Sequence, residues 1–230
     1  MVGGPLLTSL RQAQTDRALI PLTSNMDNMQ LIVISHPDTV AHEAQLINQL
    51  FEAGLTRFHL RKPDWDDKQL INLLKQIDHT FYPYIALHQH HHIALDFDIK
   101  RLHYTEKHRL TIEADKLVLQ EERGYVLSTS IHSIVELNSL SLFDYTFFGP
   151  VFNSISKPGY QSKLPQGFHI NRNENQPKVI ALGGVECSNL DKLKAMDFDG
   201  AAVLGTIWND AVQAVTSFRK LQEHLLIKQT

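Results

Sequence analysis

The sequence predicts an α/β protein of the (β/α)8 TIM barrel class, on three observations. Its apolar residues switch repeatedly between a period of two, typical of strands, and one of about 3.6, typical of helices. Eight strand-like segments follow one another, and most are separated by a helical segment or by enough chain to form one, as parallel strands require. These units fill roughly 200 residues, the lower end of the size range of such barrels. A doubly wound open sheet is the alternative architecture.

The predicted strands are short runs of apolar, aromatic or β-branched residues. The first, Gln30–Ser35, is continuously apolar and therefore indicates a strand that is buried on both faces, as in a parallel sheet. The others are Arg57–Arg61, Tyr84–Leu87, Arg101–Tyr104, Tyr125–Ile131, Tyr145–Phe148, Lys178–Leu182 and Ala201–Leu204.

Helical spacing marks the connections between the strands. Val40–Phe51 and Asp66–Ile77 each place leucine and isoleucine on one face, and Gly54 ends the first of these helices. Ser133 and Glu136 form a capping-box pattern, so we interpret Ser133 as the cap of a fifth helix and not as a catalyst. The remaining helices are predicted around Ile93–Asp96, at Ser188–Met196 and at Asn209–Leu226.

Two parts of the chain depart from this alternation. The sixth connection, Val151–Pro177, is polar and rich in Gly, Pro and Asn, so we expect a long loop in place of a regular sixth helix. Residues 1–28 show no clear period, and we expect a loose N-terminal extension. The predicted organisation is this extension followed by a single barrel domain at 29–230.

Composition excludes several classes of protein. The 230 residues are 43% hydrophobic and 20% charged, which is ordinary for a globular chain. The net charge of −3, without a basic block, argues against nucleic acid and anionic membranes as partners. No apolar run reaches the roughly 18 residues of a membrane helix. The single cysteine, Cys187, excludes an internal disulfide, and we expect a cytoplasmic protein.

The strand ends predict a phosphate site. Active sites of such barrels lie at the C-terminal ends of the strands, and phosphate often binds to backbone N–H groups after the last two. Gly183 and Gly184 follow the seventh strand, and Gly205 and Thr206 follow the eighth. The groups that could compensate the charge of a phosphate are Arg61, Ser154, Ser156 and Lys157. The residues thus predict binding of a small phosphorylated molecule and do not identify a reaction.

The run His88–His92 suggests a metal. Two of its histidines would share a face only if the segment were helical, and no third ligand is indicated. We therefore interpret the run as a solvated or pocket-edge cluster and predict no metal site. Cys187 has no activating neighbour in the sequence and is interpreted as a structural thiol.

Four motifs resemble one known family. The stretch DYTFFGPVFNSISKPGY, Asp144–Tyr160, is similar to the signature of the thiamine phosphate synthase and thiazole tautomerase family. LSTSIHS at Leu127–Ser133, VIALGGV at Val179–Val185 and GAAVLGTIW at Gly200–Trp208 resemble further motifs of that family, in the same order. The resemblance covers about residues 30–226.

The resemblance implies a (β/α)8 barrel, usually a homodimer, that acts on a carboxylated thiazole phosphate or its aromatic isomer. In the synthase branch, this thiazole phosphate is joined to an aminopyrimidine diphosphate, and Mg²⁺ helps diphosphate to leave. In the tautomerase branch, a proton is moved to make the thiazole aromatic. The tautomerase needs no cofactor.

The sequence departs from the synthase branch where diphosphate and Mg²⁺ bind. Of the family's Q-x-R-x-K set on the second strand it keeps Arg61, with His59 at the glutamine position and Pro63 at the lysine position. His88-Gln89 replaces the family's N-D pair, and Thr105–His108 replaces its G-Q-x-D run. Both expected magnesium carboxylates are therefore missing.

We therefore expect the tautomerase reaction. His132 resembles the proton-transferring histidine of that branch, and an imidazole suits this role because its pKa lies near neutrality. Arg61 would neutralise the substrate carboxylate, since Thr129 stands where the branch often has arginine. The phosphate would be held by Ser130, Ser154, Ser156, Lys157, Gly183, Gly184, Gly205 and Thr206. Two alternatives remain: a diverged thiamine phosphate synthase using Mg²⁺, and an inactive barrel that binds thiamine intermediates.

Overall fold

The structure, a computed structural model, describes residues 29–153, 164–165 and 167–227. Eight parallel strands close into a barrel in which each strand pairs with its neighbours in chain order and the eighth returns to the first. The predicted (β/α)8 class is confirmed, and the open sheet is excluded because the first and last strands pair over four residues, from Gln30 opposite Gly200 to Val33 opposite Val203.

The strands lie within one residue of their predicted bounds. The continuous burial of Ile32, Val33 and Ile34 confirms that the first strand is covered on both faces. The strands are β1 Gln30–Ile34, β2 Phe58–Leu60, β3 Ile85–Leu87, β4 Arg101–Tyr104, β5 Val126–Ile131, β6 Tyr145–Phe148, β7 Lys178–Leu182 and β8 Gly200–Val203.

The α-helices form the outer layer. They are α1 Glu43–Glu52, α2 Asp67–Leu74, α3 Glu106–Arg109, α4 Ala114–Glu122, α5 Leu190–Ala195, α6 Gly205–Trp208 and α7 Ala214–Ile227. A capping box between Asp66 and Gln69 starts α2, and a left-handed Gly54 follows α1 as predicted. The predicted third and fifth helices are short 3-10 helices, His91–Leu95 and Ile134–Ser139.

The long sixth connection agrees with its prediction over the part that is described: residues 151–153, 164–165 and 167–177 contain no helix. Residues 1–28, for which we predict a loose extension, lie outside the described residues. No helix in the described part of the chain combines the length and hydrophobicity needed to cross a lipid bilayer.

The barrel interior is divided between an apolar and a polar side. Apolar side chains of β1, β6, β7 and β8 pack together there, and they are Ile32, Ile34, Tyr145, Phe147, Ile180 and Ala202. The strands β2 to β5 contribute buried polar side chains instead, and these are His59, His88, His103 and Ser128. Polar groups inside a barrel are costly unless they are hydrogen-bonded, so this side is the natural place to look for chemistry.

Candidate active site

A cavity of about 470 Å³ opens at the mouth of the barrel, at the C-terminal ends of β1, β2, β7 and β8. Arg61, which follows β2, lines one side of this cavity, and the glycines that follow β7 and β8 line the other side. The structure thus brings together five residues that we predict from sequence to contact substrate. They are Arg61, Gly183, Gly184, Gly205 and Thr206.

The two glycines after β7 are required by the backbone. Gly183 and Gly184 have φ angles of 95° and 66°, in the left-handed region that disfavours other residues. A Cβ at Gly184 would lie 2.5 Å from the carbonyl oxygen of Asn153. The turn after β7 therefore packs directly on the chain that follows β6. Because there is no room for side chains, the backbone of the β7 turn forms the wall of the cavity.

Arg61 and Thr206 are fixed by the loops around them. The backbone N–H of Arg61 donates to Ser35 Oγ at 2.8 Å, and Ser35 Oγ donates to the Arg61 carbonyl at 2.9 Å. The Thr206 hydroxyl donates to the Val185 carbonyl at 2.5 Å, so it ties the turn after β8 to the turn after β7. The Thr206 hydroxyl proton is therefore already used in a hydrogen bond within the protein and is not free to donate to a ligand.

His132 follows β5 on another side of the mouth. Its Nδ1 lies 2.7 Å from the carbonyl oxygen of Gly149, which can only accept, so Nδ1 carries the proton. Nε2 is left as the proton acceptor, 3.8 Å from Glu106 Oε2. The Ser133 N–H donates to Glu136 Oε1 at 3.1 Å, which confirms the capping role of Ser133.

Three buried imidazoles lie on the polar side of the barrel interior. His59 Nδ1 is 2.8 Å from His88 Nε2, and the rings of His88 and His103 stack with centroids 3.9 Å apart. Relative exposures are 0%, 5% and 1% for His59, His88 and His103. We call these three residues the imidazole cluster.

The imidazole cluster is held neutral by its surroundings. Burial is the main cause that lowers the pKa of His59 and His88 well below the ordinary value, and it lowers the pKa of His103 to about 3. The positive charge of Arg61 lowers the pKa of His88 and His103 further. At neutral pH the three rings therefore present unprotonated nitrogens and N–H groups, and no net charge.

Hydroxyl groups complete the cluster. Tyr145 OH lies 2.7 Å from His59 Nε2, and the two ring nitrogens of His103 lie 3.0 Å from Ser128 Oγ and Ser130 Oγ. Ser130, which we predict to contact phosphate, thus contacts His103, and its phosphate role stays a prediction. The other predicted phosphate ligands Ser154, Ser156 and Lys157 lie outside the described residues.

The interpretation of His88–His92 as a solvated or pocket-edge cluster is wrong for His88, which is buried in the interior. The exposed His92 fits that interpretation and contacts the Asp67 carboxylate together with His90. The His91 ring contacts the backbone carbonyls of Leu87 and His103, and burial there lowers its pKa to about 4. A signal was available, because period-two alternation along β2 places His59 on the same face as Arg61.

A closed eight-stranded barrel with a glycine-lined cavity at the C-terminal ends of β7 and β8 defines the class: a (β/α)8 barrel with an active-site cavity at its mouth. Residues 29–207 match the family model described as Thiamine monophosphate synthase. The chain belongs to this family, as its motifs indicate.

Individual proteins that are similar to this chain have names that agree with this family. A thiamine-phosphate synthase of Lysinibacillus sphaericus is 25% identical over 85% of this chain and 96% of its own length. One of Prochlorococcus marinus is 26% identical over 77% of this chain, which spans about half (51%) of that relative. A solved structure, thiamine phosphate pyrophosphorylase from Bacteroides thetaiotaomicron, is 25% identical, with a TM-score of 0.64 over 85% of this chain and 97% of that one.

Proposed function

We propose that the chain is an enzyme of thiamine biosynthesis that binds a thiazole phosphate at the mouth of the barrel. This proposal rests on the cavity of about 470 Å³, which is lined by glycine turns on one side and by Arg61 on the other. Backbone groups at Gly183, Gly184 and Gly205 would hold the phosphate, and Arg61 would pair with the carboxylate. The volume suits a small phosphorylated heterocycle, since ligand pockets run from about 300 to 1,000 Å³.

The first candidate reaction is that of a thiamine-phosphate synthase, which joins the thiazole phosphate to an aminopyrimidine diphosphate. It is supported by the family model and by the names of the relatives, which describe synthases or a pyrophosphorylase. The comparisons thus favour coupling over isomerisation. The relatives that carry these names are 25–26% identical to this chain.

The magnesium ion used by the synthase branch does not fit the described residues. Mg²⁺ prefers carboxylate and water oxygens in an octahedral arrangement. The positions expected to supply the carboxylates hold Gln89 and His108. Within the described part of the chain, the groups of three or more close potential ligands reduce to the imidazole cluster, which offers nitrogens. We therefore assign no step of the reaction to a magnesium ion.

The second candidate is thiazole tautomerisation, and the geometry of His132 favours it. The Gly149 carbonyl fixes the proton on Nδ1, so Nε2 is free to take a proton from the thiazole ring. The electron pair released then completes the aromatic ring, while the exocyclic alkene carbon gains a proton. Glu106, 3.8 Å from Nε2, would stabilise the imidazolium that forms. This reaction needs proton transfer alone.

One incubation separates these reactions. The purified protein is given carboxylated thiazole phosphate in deuterated buffer, with and without aminopyrimidine diphosphate and Mg²⁺, and products are followed by mass spectrometry and NMR. Thiamine phosphate as the product establishes the synthase. Aromatised thiazole carrying solvent deuterium, without coupling, establishes the tautomerase. Tight binding of the thiazole phosphate without turnover establishes the inactive, binding barrel, and absence of binding overturns the whole proposal.

A further inference from the structure

The imidazole cluster has the composition and geometry of a three-histidine metal site. One ligating nitrogen from each of His59, His88 and His103 can be chosen so that all three lie within 4.8 Å of one another. The three residues come from or directly follow adjacent strands, β2, β3 and β4, so the barrel itself fixes their spacing. We propose that this cluster binds one divalent transition-metal ion of the Zn²⁺ class.

The rings must move to admit the ion. Nitrogens bound to Zn²⁺ lie about 2.0–2.1 Å from the metal, so two of them in a tetrahedron are about 3.3 Å apart. His59 Nδ1 and His88 Nε2 are 2.8 Å apart and would separate by about half an ångström. The rings of His88 and His103 stack with centroids 3.9 Å apart, so one of them must also turn to aim its nitrogen at a shared ion.

The groups around the cluster act as a second layer of support. Metal-bound histidines usually donate their other ring N–H to a neighbour, which fixes the orientation of the ring. The Tyr145 hydroxyl is placed to accept from His59 Nε2 at 2.7 Å. Ser128 Oγ is placed to accept from His103 Nδ1 at 3.0 Å, and His103 Nε2, which lies 3.0 Å from Ser130 Oγ, would exchange that contact for the metal. Three protein ligands leave a fourth position for water or an anion.

The charges near the cluster select the ion. Arg61 acts on His88 and His103, and Arg57 and Arg101 act on His59, in each case lowering the pKa of the imidazole. These cations repel any divalent ion at the cluster, so binding must come from the bonds to the ring nitrogens. Neutral nitrogen ligands favour the late first-row metals, so Zn²⁺, Co²⁺ and Ni²⁺ should bind in preference to Mg²⁺ or Ca²⁺. The same cations favour hydroxide or another anion at the fourth position.

Co²⁺ titration of the metal-free, full-length protein tests the site directly, with Zn²⁺ as the competitor. Visible absorption distinguishes four-coordinate Co²⁺ from the six-coordinate ion in water. We expect one equivalent of four-coordinate Co²⁺, displaced by Zn²⁺ and not by Mg²⁺. The single substitutions His59→Gln, His88→Asn and His103→Gln should each weaken binding at least about tenfold.

A matched control and a milder variant keep the test decisive. His79→Gln removes an exposed histidine, 85% accessible at its side chain, and should leave Co²⁺ binding unchanged. Tyr145→Phe removes one hydroxyl and should weaken binding by about 10–100-fold while the barrel stays folded, as circular dichroism would verify. Absence of a four-coordinate spectrum, or an equal affinity in His59→Gln or Tyr145→Phe, would overturn the proposal. Because the titration uses the metal alone, its outcome is independent of the reaction proposed above.

Discussion

Two halves of the barrel differ in how closely their residues resemble the motifs of the thiamine monophosphate synthase family. The half built on β5 to β8 keeps the motifs of the thiamine monophosphate synthase family, with His132, the Gly149 carbonyl and the glycine turns at Gly183 and Gly205. The half built on β2 to β4 carries the imidazole cluster, with His59 and His88 where the resemblance implies glutamine and asparagine. We call the β5 to β8 half the retained half and the β2 to β4 half the rebuilt half. One barrel can carry two such different half-sites, because function depends on strand-end residues and not on the fold.

The halves also differ in the groups they present. The β5 to β8 half offers backbone at glycine turns that have no room for side chains, as in anion sites. The β2 to β4 half offers neutral imidazoles whose pKa values are lowered by burial. The first half suits a phosphate and the second suits a neutral ring or a late transition metal.

The largest effect is expected at His132, in the retained half. His132→Gln keeps a polar side chain and removes the group that can carry a proton. If tautomerisation is the reaction, its rate should fall by about 10²–10⁴-fold, while the affinity for thiazole phosphate stays within about twofold. Solvent deuterium uptake measures the rate, and His79→Gln serves as the matched control. A rate within about tenfold of the parent would remove His132 from the proton-transfer role.

The next largest effect concerns the lysine at the end of β2, in the rebuilt half. Lys62 forms a buried ion pair with Glu43, Nζ to Oε2 2.7 Å, and its Nζ also donates to the Asp38 carbonyl at 2.8 Å. Burial raises the pKa of Glu43 and lowers that of Lys62, so desolvation offsets much of the attraction. Lys62→Met alone should destabilise the fold by about 3–5 kcal/mol, because it leaves a buried carboxylate without its partner.

The double variant Glu43→Leu, Lys62→Met sharpens this test. Replacing both charges with apolar groups should give a stability near that of the parent, or above it. Urea denaturation of the three proteins gives the free energies of unfolding. A loss of less than about 1 kcal/mol in Lys62→Met would show that the pair is hydrated and behaves as a surface salt bridge.

The fold could be predicted from the sequence because its signals are local and repeated. The eight strands are runs such as QLIVI and KVIAL, whose burial on both faces leaves little choice of structure. The third and fifth connections were less predictable. The segments around Ile93 and Leu137 are predicted as helices, and the chain forms short 3-10 helices there instead.

The site could be predicted only in part. Gly183, Gly184 and Arg61 share one cavity because strand ends always meet at the mouth of a barrel. The imidazole cluster was missed because the four histidines of the run His88–His92 were treated as one unit. In the structure the chain turns at His90, which adopts a left-handed φ of 54°, so His88 enters the interior while His92 faces solvent.

A moderate effect is expected at the glycine turn of the retained half. Gly184→Ala would place a Cβ 2.5 Å from the Asn153 carbonyl oxygen and must shift the turn. The affinity for inorganic phosphate should fall by about tenfold, equal to about 1.4 kcal/mol, as measured by calorimetry. Gly124→Ala is the matched control, because Gly124 is also left-handed, at 76°, with nothing within 4 Å of the added Cβ. Equal losses in both variants would assign the effect to backbone strain and not to the cavity.

The smallest effect is the pH dependence of stability in the rebuilt half, for the protein freed of metal by EDTA. The pKa of His103 is lowered to about 3 and that of His91 to about 4, while both titrate near 6.5 when unfolded. Below pH 6.5 the unfolded chain therefore binds more protons than the folded one, so stability must fall as the pH falls. Between pH 7.5 and 6.5 we expect the Tm to drop by about 2–4 °C, with a steeper drop down to pH 5.5. Carboxylates titrate mainly below this window, so the slope reports imidazoles, and His59→Gln should make it shallower. A Tm that does not change from pH 7.5 to 5.5 would mean that the folded protein takes up protons at the cluster, and that water reaches the side of the barrel that the structure shows as closed.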